Sequence, residues 1–137
     1  MTANLFKMAV PACAALIAMA SMAEAGRTVY ECSTNARDRG FIPKQVIVAH
    51  NDGAGSAMVN DPIIHHFMGK PVSAKVTKNN AKIISFKWVV KTKNKKHQTA
   101  DMIYRATIRK SDSKLSISAV PPGYSNTFNA SGSCKTS

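Results

Sequence analysis

The stretch from Lys82 to Lys110 constrains the fold more than any other part of the chain. It reads KIISFKWVVKTKNKKHQTADMIYRATIRK. In an extended conformation Ile84, Phe86, Trp88 and Val90 share one face, while Ser85, Lys87, Lys91 and Lys93 share the other, with Val89 as the exception. Further on, Met102, Tyr104, Ala106 and Ile108 oppose Asp101, Arg105, Thr107 and Arg109. Alternation with a period of two marks half-buried strands, and the polar segment between them predicts a β-hairpin. Pairing Trp88 with Tyr104 keeps both apolar faces on one side and sets Lys91 opposite Asp101, so opposite charges favour that register.

The remaining segments read as strands added to this hairpin. Short strands are expected at Arg27 to Ser33, Phe41 to His50, Ala57 to Val59, Pro71 to Lys78, Lys114 to Val120 and Asn126 to Lys135. Turn residues separate them, among them Asn51-Asp52-Gly53 and Asn79-Asn80. A helical turn is expected within Ser33 to Gly40, where Ser33 or Thr34 would cap it. A short helix is expected over Pro62 to Met68, with Asp61 as N-cap, Pro62 in the first turn and Gly69 as the stop. About eight short, mostly antiparallel strands suit a small closed barrel or, as the alternative, a two-sheet sandwich. Closure removes both sheet edges, which favours the all-β antiparallel barrel with one short helix.

The chain of 137 residues opens with Lys7 and an alanine-rich apolar run that ends at Ala23-Glu24-Ala25, an A-x-A signature. Residues 1–25 are therefore expected to be a secretory signal peptide, and residues 26–137 a single β-barrel domain, exported to a periplasmic or extracellular space. Two cysteines follow the signal, Cys32 and Cys134. In an oxidising compartment they are expected to form a disulfide between the first and last strands.

Tyr30-x-Cys32 near the start and Gly132-x-Cys134-Lys135 near the end resemble the membrane-bound inhibitors of c-type lysozyme. The resemblance implies a small periplasmic barrel. The serine-glycine and lysine motifs of that family's inhibitory loop have no match here, so only the architecture is carried over.

The net charge is +12, with Lys and Arg totalling 19 against 7 acidic residues. Lys7 and Glu24 cancel, so the chain after the signal keeps the whole excess. Such a balance points to an anionic partner: a polymer, an envelope or membrane surface, or an acidic protein. The sharpest local signal is the hairpin tip, with Lys91, Lys93, Lys95, Lys96 and His97 as the expected contact residues. The bland alternative is a solvated tip that blocks edge aggregation. The reading favoured is a non-enzymatic binding protein needing no cofactor and no metal.

Three further readings stay open. His50 with His65 or His66, a lysine and an orienting Asp52 or Asp61 would supply the parts of a ribonuclease-type hydrolase. The same histidines with Asp61 are a possible metal set, although neighbours on a helix diverge by about a hundred degrees. Alternatively, a barrel lined by Phe86, Trp88, Tyr104 and Phe128 would carry a small apolar ligand beneath Pro62–Met68 as a lid.

Overall fold

A computed structural model describes residues 26–37, 41–93, 96–121, 123 and 127–137. Eight strands form a closed antiparallel barrel in sequence order. They are β1 (Arg27–Thr34), β2 (Gln45–Asn51), β3 (Ser56–Asn60), β4 (Val72–Asn79), β5 (Ile83–Lys93), β6 (Thr99–Arg109), β7 (Lys114–Val120) and β8 (Phe128–Thr136), with α1 (Pro62–Met68) between β3 and β4. The proposed signal peptide lies outside the described residues.

The central hairpin has the expected register, with Trp88 opposite Tyr104 and Lys91 opposite Asp101. Its inward residues Ile84, Phe86, Trp88 and Val90 are buried, as are Met102, Tyr104, Ala106 and Ile108. The Trp88 and Tyr104 rings stack, their centroids 5.5 Å apart. Val46, Val48, Val59 and Ile117 complete the interior. Apolar side chains thus point inward, while most outward positions are polar or charged. That is the reverse of a membrane-spanning barrel, whose outer band is apolar. No helix among the described residues is long and apolar enough to cross a membrane.

Helix α1 closes one end of the barrel. The Asp61 carboxylate accepts from the Ile64 N–H at 2.7 Å, which satisfies one of the unpaired donors of the first turn. Gly69 adopts a left-handed conformation, φ 73°, and its N–H donates to the His65 carbonyl. Between these caps Ile64 is fully buried, and Ile63, Phe67 and Met68 pack against the core. At the opposite end His50 Nε2 bonds the Ala54 carbonyl at 2.8 Å.

Two local expectations are corrected. Ser33 and Thr34 do not cap a helical turn; they continue β1, because Ser133 and Gly132 on β8 pair with them. Thr34 Oγ1 donates to the Pro43 carbonyl and accepts from the Ala36 N–H, so its hydroxyl folds a turn rather than starting a helix. Residues 38–40 of that segment lie outside the described residues. The second strand begins at Gln45, not Phe41. Pro43 has no N–H for a ladder, and the Phe41 carbonyl is taken by the Tyr104 hydroxyl at 2.7 Å.

The barrel shuts where β8 meets β1. Cys32 and Cys134 face each other in register and are joined by a disulfide. Two positions along, Gly132 pairs with Thr34 so closely that a Cβ on it would stand 1.8 Å from the Ser33 carbonyl oxygen. Only a residue without a side chain lets this seam close. Gly132→Ala is therefore expected to destabilise the oxidised protein by about 2 kcal/mol or more, the scale of forced overpacking, and Gly132→Val to prevent a cooperative fold. Urea unfolding of purified variants measures both, and an alanine variant as stable as the parent would show that the seam yields without cost.

Candidate functional site

The β5–β6 ladder runs without a break to Lys93 opposite Thr99. It outlasts the β6–β7 pairing, whose last pair is Ile103 with Val120. The hairpin end thus extends beyond its neighbour, and Lys91 and Lys93 are exposed on its outer face. Thr92 points inward and donates to the Ala100 carbonyl at 3.1 Å, which anchors the base of the tip. Lys96 and His97 are also exposed, and His97 is held at φ 59°. Left-handed backbone at a non-glycine residue is uncommon, and histidine tolerates it better than most. Lys95, the remaining expected contact residue, lies outside the described residues.

A second basic feature sits at mid-barrel. Lys75 is paired directly with Lys87 on β5, and Lys87 with Arg105 on β6. Strands lie about 4.8 Å apart, so three like charges fall within roughly 10 Å. Like charges placed directly opposite destabilise a sheet. Among the described residues none of the three has a carboxylate within ion-pair distance. Lys78, Lys82, Arg109, Lys110 and Lys114 lie instead toward the far end of the hairpin. The β4–β5 register shifts between Val76 and Lys78, and that irregularity sets Lys75 opposite Lys87. At the far end two of the charges are partnered: Lys110 Nζ donates to Asn79 Oδ1 at 2.8 Å, and Arg109 makes a two-pronged contact with Asp112. The guanidinium holds the Asp112 carboxyl down at about 2 and is itself raised by that bond.

The expected hydrolase residues are not brought together. His50 is buried and lies opposite Ala57, at the end of β2 away from α1. His65 and His66 are exposed on α1, with the His66 ring packed edge-on against Phe67. Asp52 accepts from the Thr28 hydroxyl, and Asp61 is occupied as the helix cap. Among the described residues no group of three or more His, Cys, Asp or Glu converges on a point where a metal would sit.

The expected cavity lining is packed on itself. Phe86, Trp88 and Tyr104 are all buried, with Phe86 against Tyr30 and His50. Phe128 is instead half-buried at the start of β8, against Phe41. The Trp88 indole nitrogen is buried without a hydrogen-bond partner, as is Asn60 Oδ1. Grooves lie on the outer surface among the described residues. One of about 480 Å³ runs along the β4–β5 seam beside Ser56, Ser73, Lys75, Lys87 and Val89. Another of about 390 Å³ lies over the β1–β8 seam, and one of about 370 Å³ follows Gln45, Ile47 and His65.

The chain matches no family model, and neither a curated protein nor a solved structure matches it.

Asp61 supplies a test of how α1 is held. Burial raises its carboxyl above the ordinary range, against the lowering effect of the Ile64 and Ile63 N–H bonds. The folded chain therefore holds this proton more tightly than the unfolded chain. The associated stability is fully present below the ordinary carboxyl range and is lost as pH rises through the raised folded value. Asparagine caps a helix as well as aspartate and carries no charge. Asp61→Asn is expected to gain on the parent as the solution moves from about pH 3 to about pH 7, across the carboxyl range. Urea midpoints at both pH values measure this; a difference that does not change with pH would remove buried ionisation as the cause.

Proposed function

We propose that this chain is an exported, non-enzymatic binding protein that engages an anionic partner through the β5–β6 hairpin tip. The observation that carries the reading is the placement of Lys91, Lys93, Lys96 and His97, exposed at the end of an unbroken ladder that outlasts its β7 neighbour. Cations raised on a rigid ribbon can meet a charged surface while their aliphatic stems stay where they are. The net charge of +12 adds a long-range attraction for any polyanion. Export rests on the A-x-A signature before Gly26 and is in keeping with the disulfide. Tyr30, Cys32, Gly132, Cys134 and Lys135, which carry the resemblance to the lysozyme inhibitors, all lie along the β1–β8 seam, far from the tip.

One observation favours a second reading, that of a carrier. The Trp88 nitrogen, buried inside the barrel with no acceptor, is a donor that a small ligand or a water would satisfy. The interior is otherwise filled by aromatic and branched side chains, so the surface reading is preferred. The hydrolase reading has no comparable support, since its histidines stand at opposite ends of the barrel.

Replacing Lys91, Lys93, Lys95 and Lys96 together with glutamine tests the proposal. Each basic residue near an anionic surface contributes about 1 kcal/mol, so affinity for heparin or anionic vesicles at low salt should fall by roughly three orders of magnitude. Stability should stay within about 0.5 kcal/mol of the parent, as for other exposed substitutions. Binding by the parent should also weaken steeply with added salt, because the Debye length shrinks to about 8 Å at physiological ionic strength. Parental affinity in the quadruple variant would reduce the tip to a solubilising feature.

A further inference from the structure

The geometry points to a lipid-docking face on β3–β6, in which an apolar row between two sets of cations seats the barrel on an anionic lipid surface. This rests on the anionic-partner reading and names the partner's chemistry. Met58 and Val89 are 47% and 41% exposed, among the most exposed large apolar side chains of the barrel. They belong to one circumferential row. Val29 pairs with Ala49 and Ala49 with Met58, while on the other side Val89 pairs with Ile103 and Ile103 with Val120. Ser73, opposite Met58, lies in the groove between the two halves. Val29, Ala49, Ile103 and Val120 are half-buried, so Met58 and Val89 are the exposed members of the row, one on each side of the groove at Ser73; a single exposed apolar residue is ordinary, but two at one level flanking one groove are not.

The cations stand on both sides of this row. Two residues along β5 in one direction is Lys87, in line with Lys75 and Arg105. Two residues in the other direction is Lys91, followed by Lys93 at the tip. At about 3.3 Å per residue the two basic levels lie roughly 13 Å apart with the apolar row midway. The β4–β5 groove runs between the apolar row and the Lys75–Lys87 level, and Ser56 and Ser73 bring hydroxyls beside Lys75 and Lys87. A phosphate there receives ammonium and hydroxyl donors together, and it relieves the repulsion among Lys75, Lys87 and Arg105. Met58 and Val89 then meet the boundary between headgroups and acyl chains, where shallow apolar contact and phosphate attraction act together. A soluble polyanion such as heparin or a nucleic acid uses only the charges and leaves the apolar row idle.

The test uses the full oxidised chain with two probes: vesicles of phosphatidylglycerol and phosphatidylcholine, and soluble heparin. Met58→Ser/Val89→Ser is expected to lose vesicle binding by roughly tenfold, the scale of one to two buried side chains, while keeping parental heparin affinity. Lys75→Gln/Lys87→Gln/Arg105→Gln is expected to lose binding to both probes. Its urea midpoint should equal or exceed the parent's, since a repulsive row has gone, and this guards against reading misfolding as lost binding. Vesicle affinity unchanged in Met58→Ser/Val89→Ser overturns the lipid-docking face. A parent that binds heparin but not anionic vesicles also overturns it, and leaves the anionic-partner reading standing with a polymer as the partner. A parent that binds neither probe at low salt overturns both.

Discussion

Closure of β1 against β8 is the constraint on which the rest of this molecule depends. An eight-stranded sheet left open would present two edges and an interior half exposed to water. With the seam shut, every backbone ladder has a neighbour and the apolar faces meet in the middle. The seam is held by two features of opposite kind. The disulfide spans 102 residues, and constraining so long a loop removes about 4.7 kcal/mol worth of chain entropy from the unfolded state. Gly132 contributes by absence, since no side chain stands between its backbone and the Ser33 carbonyl.

A filled and locked interior frees the exterior for other uses. The core residues of β4, β5 and β6 are fixed by packing, so their outward neighbours are held in a set pattern as well. Ala74, Phe86, Trp88 and Ala106 point in, and Lys75, Lys87 and Arg105 therefore point out and cannot avoid one another. A sheet selected for stability alone would alternate the signs of its charges across strands. Here the opposite arrangement stands beside the exposed Met58 and Val89. Local departures from the rules of stable sheets tend to mark surfaces that have a second task.

Much of this was legible before any coordinates. Strong alternation at Ile84–Val90 and Met102–Ile108 specifies both strands and their register, because a slip of one residue would turn every apolar side chain to water. The α1 boundaries were legible because Asp61, Pro62 and Gly69 each act through local chemistry. The segment between β1 and β2 was not. Its hydroxyls suit a helical turn in isolation, and only the presence of β8 makes Ser33 and Thr34 strand. The same limit hid the cation row. Lys75 and Lys87 are far apart in sequence, and the irregularity at Val76 decides whether they meet. The one local hint was Val89, an apolar residue out of step on the polar face of its strand. The tip lysines were plain in sequence as a run of charge, whereas the apolar row that accompanies them emerges only when seven strands are laid side by side.

The seam also sets an order of events. Hairpins such as β5–β6 join residues near in sequence and can form early, whereas β1 and β8 have to find each other across nearly the whole domain. In an unfolded chain thiols separated by 102 residues seldom meet; in the closed barrel Cys32 and Cys134 are presented to each other by the ladder itself. The covalent bond therefore acts as a latch on a finished object. It slows reopening far more than it helps the strands assemble, and its redox state distinguishes chains that have completed the circle from those that have not.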